Sequence, residues 1–276
     1  MSDITTFHQA VHDLFREVSA KAILPYYQTL ESGQIEQKDT GGIATVEDVV
    51  TVADRLAEEL LAEGLARIIP GLPIVGEEAA HADPTVLDRL IGDCWIVDPI
   101  DGTNNFAMGR QPFGILLAMA SGGVAHTGWI YDPLSDRFCV AHKGKGAFIN
   151  GEQVKAHSTG ANPPVAAISL LFFDQGHRDA IATHIAPHYT LVDIPRCAAE
   201  QYPRLVLGEN DVSIFERTLA WDHAAGVLWL NEAGGKAARP DGSAYRVDEW
   251  ARRGLIGAAS PRLWEEMAER LAALPA

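Results

Sequence analysis

The chain's densest chemistry lies in one run, Trp95-Ile96-Val97-Asp98-Pro99-Ile100-Asp101-Gly102-Thr103-Asn104-Asn105-Phe106. Its apolar lead-in, Cys94 to Val97, predicts a buried strand, and Pro99, which lacks the N–H a central ladder needs, predicts that the strand stops there. Asp98 and Asp101 then sit on a bend. Pro99 fixes its own φ and pushes Asp98 towards extended backbone, so both acids can turn to one side. Two carboxylates that close repel, raising one pKa, unless a divalent cation lies between them. Ligands that are all oxygen favour a hard ion, Mg²⁺ before Zn²⁺. Gly102 and Thr103 add a short helix start whose free N–H groups would bind phosphate, with the glycine letting the anion come close. A metal beside an anion cradle outlines phosphate-ester hydrolysis. The plain structural alternative is a strand, a turn and an N-cap with solvated acids.

Three further acids sit where elements would deliver them. A helix is predicted from Asp48 to about Ile69, with Val50, Leu56, Leu60, Leu61, Leu65 and Ile68 on its apolar side. Asp54 lies in its early turns, where an acid by itself complements the helix dipole. After the Pro70-Gly71 turn, a short strand from Leu72 to Val75 ends in Gly76-Glu77-Glu78, carboxylate at the carboxyl end of a strand, where α/β sheets place ligands. One of the two glutamates need face inward, since neighbours on extended backbone alternate. Asp222 opens the last large helix, which Gly234 and Gly235 stop; it reads as an N-cap or a ligand.

Around these lie ordinary elements. Ile4, Phe7, Val11, Leu14, Phe15 and Val18 make an amphipathic first helix closed by Pro25. His8 and His12 are four apart on it, and with no third ligand nearby they read as surface histidines. Glu31 to Ala44 is polar and glycine-bearing, a mobile loop or hairpin that is either an active-site lid or a connector. Pro84 to Ile91 is a short helical piece. Phe113 to Ser121, Val124 to Tyr131 and Arg137 to His142 form an antiparallel meander, continued by a tight Asn150-Gly151 hairpin whose glycines read as structural. Ala156 to Pro164 is the softest boundary, dividing residues 1–155, with most of the acids, from 156–276. The second half reads as strands at Val165 to Leu171, Tyr189 to Ile194, Asp211 to Phe215 and Leu255 to Ala259. Its helices are expected near His177 to Ile185, from Ala198 to Leu207, from Trp221, and from Pro261 to Ala273.

With 276 residues, 47% of them hydrophobic, and a mean hydropathy of -0.01, the chain has ample length for a globular core. A net charge of -15 argues against duplex nucleic acid or an anionic membrane as partner. An acidic protein acting on anions would need a cation to reverse the local sign. Cys94, Cys139 and Cys197 are too few and too scattered for a disulfide framework or zinc knuckle, which fits a reducing cytoplasm. Neither a signal peptide nor a membrane span is expected.

Assembled in order, Val50-Thr51-Val52-Ala53-Asp54, Gly76-Glu77-Glu78, Trp95 to Phe106 and Trp221-Asp222-His223-Ala224-Ala225-Gly226 resemble the inositol monophosphatase family of Mg²⁺-dependent, lithium-sensitive phosphatases. The resemblance implies a layered α-β-α-β-α fold, α/β (α+β) in class, usually as a homodimer. It implies one Mg²⁺ on Glu77, Asp98 and the Ile100 carbonyl, a second on Asp98, Asp101 and Asp222, and a third held by Glu77 through waters, with Asp54 in support. A water polarised by Glu77 and Thr103 would attack a phosphate resting on the Gly102 and Thr103 N–H groups, and a metal-held water would protonate the leaving alkoxide. The helices from Thr103 and Asp222 would aim their positive ends at the phosphate.

The departure lies on the substrate's alcohol side. Where family members acting on inositol carry a Gly-Ser/Thr-Ala-Ala segment, this chain has Ala199-Glu200-Gln201-Tyr202, bulkier and more polar. The family's hydroxyl-binding glutamate has its nearest counterpart in Glu216, one residue out of register, with Glu200 a second candidate. The implied activity is a phosphomonoesterase for a small polyol or sugar phosphate. The same chemistry on histidinol phosphate, a 3′-phosphonucleotide or a fructose bisphosphate is the alternative, and a protein-binding regulatory role is the alternative of another class.

Overall fold

The computed structural model describes residues 2–37 and 49–274. Helix α1 (Ser2–Val18) carries Val11, Leu14, Phe15 and Val18 into the core and runs on through one π-type turn, Ser19–Ile23. Strands β1 (Ile35–Gln37) and β2 (Val49–Thr51) pair antiparallel, so the described part of the predicted 31–44 loop is a 3₁₀ turn (Ser32–Gln34) followed by one arm of a ribbon. Residues 38–44 of that loop and the predicted helix start at Asp48 lie outside the described residues. Helix α2 (Val52–Ile68) begins later than predicted because Val49, Val50 and Thr51, all β-branched, join the ribbon. Thr51 then caps the helix.

Strand β3 (Ile74–Gly76) leads into helix α3 (Glu77–Ala82), and a 3₁₀ stretch (Pro84–Ile91) into strand β4 (Cys94–Asp101) and the five-residue helix α4 (Thr103–Ala107). The meander is β5 (Gly114–Ser121), β6 (Val124–Asp132) and β7 (Arg137–His142), followed by β8 (Ala147–Ile149) and β9 (Glu152–Val154). The second half holds β10 (Val165–Ile168), α5 (Gln175–His184), β11 (Thr190–Leu191), α6 (Ala198–Val206) and β12 (Val212–Phe215). It closes with α7 (Ala220–Glu232), β13 (Lys236–Ala238), β14 (Leu255–Ala258) and α8 (Pro261–Ala272). Strand β13 had no sequence signal, since Lys236-Ala237-Ala238 lacks β-branched residues.

Among the described residues, β3 to β9 line up in chain order as one sheet, and β11-β10-β12-β14-β13 form another. Alternation along β4 sorts its side chains between two cores. Trp95 and Val97 pack with Val11 and Phe15 of α1 and Ala57 and Leu61 of α2, while Ile96 packs on the opposite face with Tyr202 of α6 and Ala224 and Leu228 of α7. Helices α6 and α7 also touch the second sheet, whose far face holds Ala166, Val212 and Ile256 against Ile181 of α5 and Trp264 and Met267 of α8. The layers therefore run α-β-α-β-α, as expected. Each large apolar side chain fully buried in them contributes about 1.5–3 kcal/mol. The central helices cross closely: a Cβ on Gly226 of α7 would stand 2.0 Å from the Tyr202 ring.

The α1 histidines are not surface residues. The Trp129 indole N–H donates to His8 Nδ1 at 3.1 Å, and His12 stacks on Phe138 at 4.1 Å while bonding Asp136 at 3.1 Å. Burial, with a smaller contribution from His142, lowers the His8 pKa to about 4. Aromatic stacking on the sheet holds these rings where the sequence offered only their spacing.

Candidate active site

The predicted bend at Pro99 is a bulge inside a longer strand. β4 runs through Pro99 to Asp101, and Asp98 pairs with Leu116 while Asp101 pairs with Gly114, three steps on one strand against two on the other. β3 ends opposite Val97, so the proline falls where β4 has no partner on that side and its missing N–H costs nothing there. In a regular strand, residues three apart face opposite ways. The extra residue removes that alternation, so Ile100 enters the α1/α2 core while Asp98 and Asp101 both line one cleft. The Asp98 carboxylate accepts the Ile100 N–H at 3.0 Å, bracing the bulge.

Gly102 has φ +86°, and a Cβ there would lie 2.9 Å from the Pro112 carbonyl and 3.2 Å from Cys197 Cβ. The glycine is thus required by its left-handed backbone and by the packing behind it as well as by access for an anion. Because α4 is a single turn, its start offers backbone N–H groups rather than a macrodipole.

Asp54 faces both the start of its own helix and Thr103. It is the third residue of α2, where it accepts the Thr51 N–H at 2.8 Å in a capping box, and its other oxygen accepts from the Thr103 hydroxyl at 3.1 Å. The Thr103 hydroxyl lies 2.9 Å from the Ile100 carbonyl as well, so its single proton points into the protein. Burial raises the Asp54 pKa to about 7, with the nearby Glu77 charge adding to it.

Glu77 and Glu78 open helix α3 instead of extending β3, so they diverge around a helix and not across a sheet. A residue without any sequence signal holds that start. Glu58, from α2, accepts the N–H groups of Glu78 at 2.9 Å and Ala79 at 2.8 Å, supplying the cap that Gly76 cannot. A side chain at 76 would collide with it, its Cβ 2.4 Å from Glu58 Cδ. Burial raises the Glu58 pKa to about 7 against those two hydrogen bonds.

Asp222 is the third residue of α7, whose N-cap is Leu219, so the N-cap reading is set aside. It lines the cleft of about 100 Å³ with Glu77, Asp98, Asp101, Gly102 and Thr103. Burial, eased by the Ala199 N–H at 2.6 Å and worsened by Glu77, raises the Asp101 pKa to about 6. Four acids around one small cleft repel one another, and the donor set is all oxygen, which fits a hard divalent cation. Among the described residues no three or more His, Cys, Asp or Glu side chains stand close enough together to hold a metal ion as they are placed. Arg196 and Arg217 also line the cleft, and neither had been singled out. Arg196, a non-glycine residue at φ +54°, is held there by the fold.

A sequence model of the inositol monophosphatase family matches residues 4–275. The chain belongs to that family. Inositol monophosphatase-family proteins are metal-dependent, lithium-sensitive phosphatases of small phosphorylated substrates, and this one is a phosphoric monoester hydrolase. The inositol-1-monophosphatase of Bacillus subtilis (strain 168) is 28% identical over 249 residues, 89% of this chain and 89% of its own. The fructose-1,6-bisphosphatase/inositol-1-monophosphatase of Thermotoga maritima is 29% identical over 199 residues, 72% of this chain and 73% of that one. The structure of extragenic suppressor protein suhB from Bartonella henselae shares the fold, with a TM-score of 0.78 at 23% identity over 96% of this chain and 98% of that one.

Of the two glutamates expected on the alcohol side, the fold delivers one. Glu216 lines a second cavity, of about 140 Å³, that shares Asp101, Asn104, Arg196, Arg217 and Asp222 with the cleft, and it pairs with Arg253 at 3.3 Å. Glu200 does not reach either space. It is bound to Arg137 at 2.6 Å and to Arg204 at 2.9 Å, lining a separate surface hollow with them. Two guanidinium groups outside the cleft hold it, which corrects its assignment as a substrate ligand. Asn105, unassigned in the motif, donates to the carbonyls of Pro112 and Pro195 at 2.8 and 2.9 Å and so ties the two loops behind the site together. Among the described residues no helix is long and apolar enough to cross a membrane.

Proposed function

We propose that the chain is a Mg²⁺-dependent phosphomonoesterase acting on a small polyol or sugar phosphate of the inositol monophosphate kind. One observation carries this reading: Glu77, Asp98, Asp101 and Asp222, from three separated stretches, line a single cleft with Gly102 and Thr103. Two or three Mg²⁺ would be held by Glu77, Asp98 and the Ile100 carbonyl and by Asp98, Asp101 and Asp222, supplying charge neutralisation of phosphoryl oxygens and a lowered pKa for bound water. The N–H groups of Gly102 and Thr103 would receive the phosphate oxygens. Because Thr103 spends its proton on Asp54 or the Ile100 carbonyl, its oxygen can only accept on the cleft side, which orients a water for attack. Residues 1–155 and 156–276 act in this reading as one catalytic unit, the first bringing three of the acids and the second Asp222.

A second reading keeps the chemistry and changes the alcohol to one bearing another phosphate, as in a fructose bisphosphate. What favours it is the pair Arg196 and Arg217, which line both cavities and would meet a second anion. The test is a turnover panel of inositol, hexose, histidinol and nucleotide phosphates with Mg²⁺, repeated with Li⁺ and with excess chelator. Release of phosphate that persists undiminished in chelator sinks both readings, and the rank order of the esters separates them.

A further inference from the structure

We propose that Gln201 is a specificity-determining residue that selects esters whose alcohol carries neighbouring hydroxyls, its amide donating to one and accepting from the next. The proposal rests on the phosphomonoesterase reading above and names a residue for its alcohol side.

Gln201 is only 3% exposed and lines the second cavity beside Asp101 and Asp222. Among the described residues neither its Nε2 nor its Oε1 has a hydrogen-bond partner. Buried amides without partners are costly, and beside a cavity a ligand is one thing that can complete them. Ala167, Ile214 and Phe215 line the same cavity with apolar side chains, and its polar lining, Asn104, Ser169, Arg196 and Glu216 among it, makes no hydrogen bond to the amide. Its position is set by the reaction centre itself. Two residues earlier on α6, the Ala199 N–H donates to Asp101 at 2.6 Å, and the Gln201 N–H closes the first helical turn on the Cys197 carbonyl at 3.0 Å. The amide is therefore held at a fixed place relative to an acid of the cleft.

An amide presents one acceptor and two donors on a planar group. A vicinal diol answers both with adjacent oxygens, each able to donate and accept; a plain alkyl or aryl alcohol answers neither. At about 140 Å³ the cavity is well below the roughly 300–1,000 Å³ of sites for larger ligands, which suits a small polyol. The segment is also where this sequence departs from the small-residue pattern of family members acting on inositol, so the selection belongs to this chain.

The test compares Gln201→Leu, similar in volume, with the wild type on inositol monophosphate and on phenyl phosphate, whose alcohol has no further hydroxyl. Two lost hydrogen bonds predict a fall of about tenfold or more in kcat/KM for the polyol ester, with phenyl phosphate held within about twofold. The thermal midpoint stays level or rises, because the substitution removes an unsatisfied buried amide. A deoxy analogue lacking one of the neighbouring hydroxyls should be discriminated against by the wild type and not by the variant. Equal losses on both esters, or none on the polyol ester, overturn the role of Gln201 while leaving the hydrolase intact. A wild type inactive on every ester overturns the phosphomonoesterase reading and this role with it.

Discussion

The acid cleft takes half of its lining from one stretch, Asp98 to Asn104, and the rest from scattered residues, whereas the pocket beside it is lined mainly by two runs of the second half, Ile194 to Ala198 and Ile214 to Arg217. The two spaces share a wall yet are placed by different means. In the cleft the backbone does much of the placing: a bulge turns two acids to one side and a single-turn helix presents N–H groups. In the pocket, packing does it, with α6 tied to Asp101 and α7 crossing it at Gly226. In the proposed function, chemistry common to all esters would belong to the first and discrimination among alcohols to the second.

That division can be broken by experiment, starting where the effect is largest. Asp98→Asn should lower phosphate release on the order of 10³-fold or more, to the same extent on polyol and aryl phosphates. Its thermal midpoint should stay within about 3 °C of wild type. A loss confined to polyol esters would erase the distinction between cleft and pocket. Asp54→Asn, which disturbs the Thr103 hydroxyl from behind, should reduce kcat about 10- to 100-fold with KM little changed, measured by steady-state kinetics on both esters. Glu58→Gln exchanges one of two acceptors for a donor opposite the Glu78 and Ala79 N–H groups. A fall of about tenfold in activity is expected, partly restored by raising Mg²⁺, together with a lower urea midpoint.

The smallest effect isolates stability from catalysis. His8 lies in neither space, and its folded pKa of about 4 sits below the unfolded value of 6.5. Between those pH values the unfolded chain binds a proton that the folded one does not, so stability is full above about 6.5 and falls as pH drops towards 4. Urea midpoints at pH 4.5 and 7.5 should therefore diverge less in His8→Phe than in wild type. His126 and His223, whose pKa values are also lowered by burial, leave a residual slope.

How much could be read beforehand follows the same line. The acids of the cleft, the meander and the Asn150-Gly151 turn carry local signatures: a proline between two aspartates, alternating apolar residues, two consecutive positive φ angles. The His8 and His12 packing, the Glu58 cap and the Glu200–Arg137 pair carry none, because those partners are at least twenty residues away; of the Glu200 pairs only the one with Arg204, four residues on, lies within local reach. Spacing along the chain says nothing about Phe138 under His12 or Arg137 beside Glu200. Gln201 was visible only as bulk and polarity where small residues were expected.

By itself the sequence picked out the acids that line the cleft and most of the elements in order, because hydrophobic periodicity and turn chemistry act over a few residues; the layers were implied by the family resemblance. Only tertiary structure decided that β4 passes through Pro99, that Glu200 turns away while Glu216 stays, and that a buried amide waits beside Asp101. Those outcomes depend on which surfaces meet when α6 and α7 are pressed between two sheets. No local preference of the backbone encodes that.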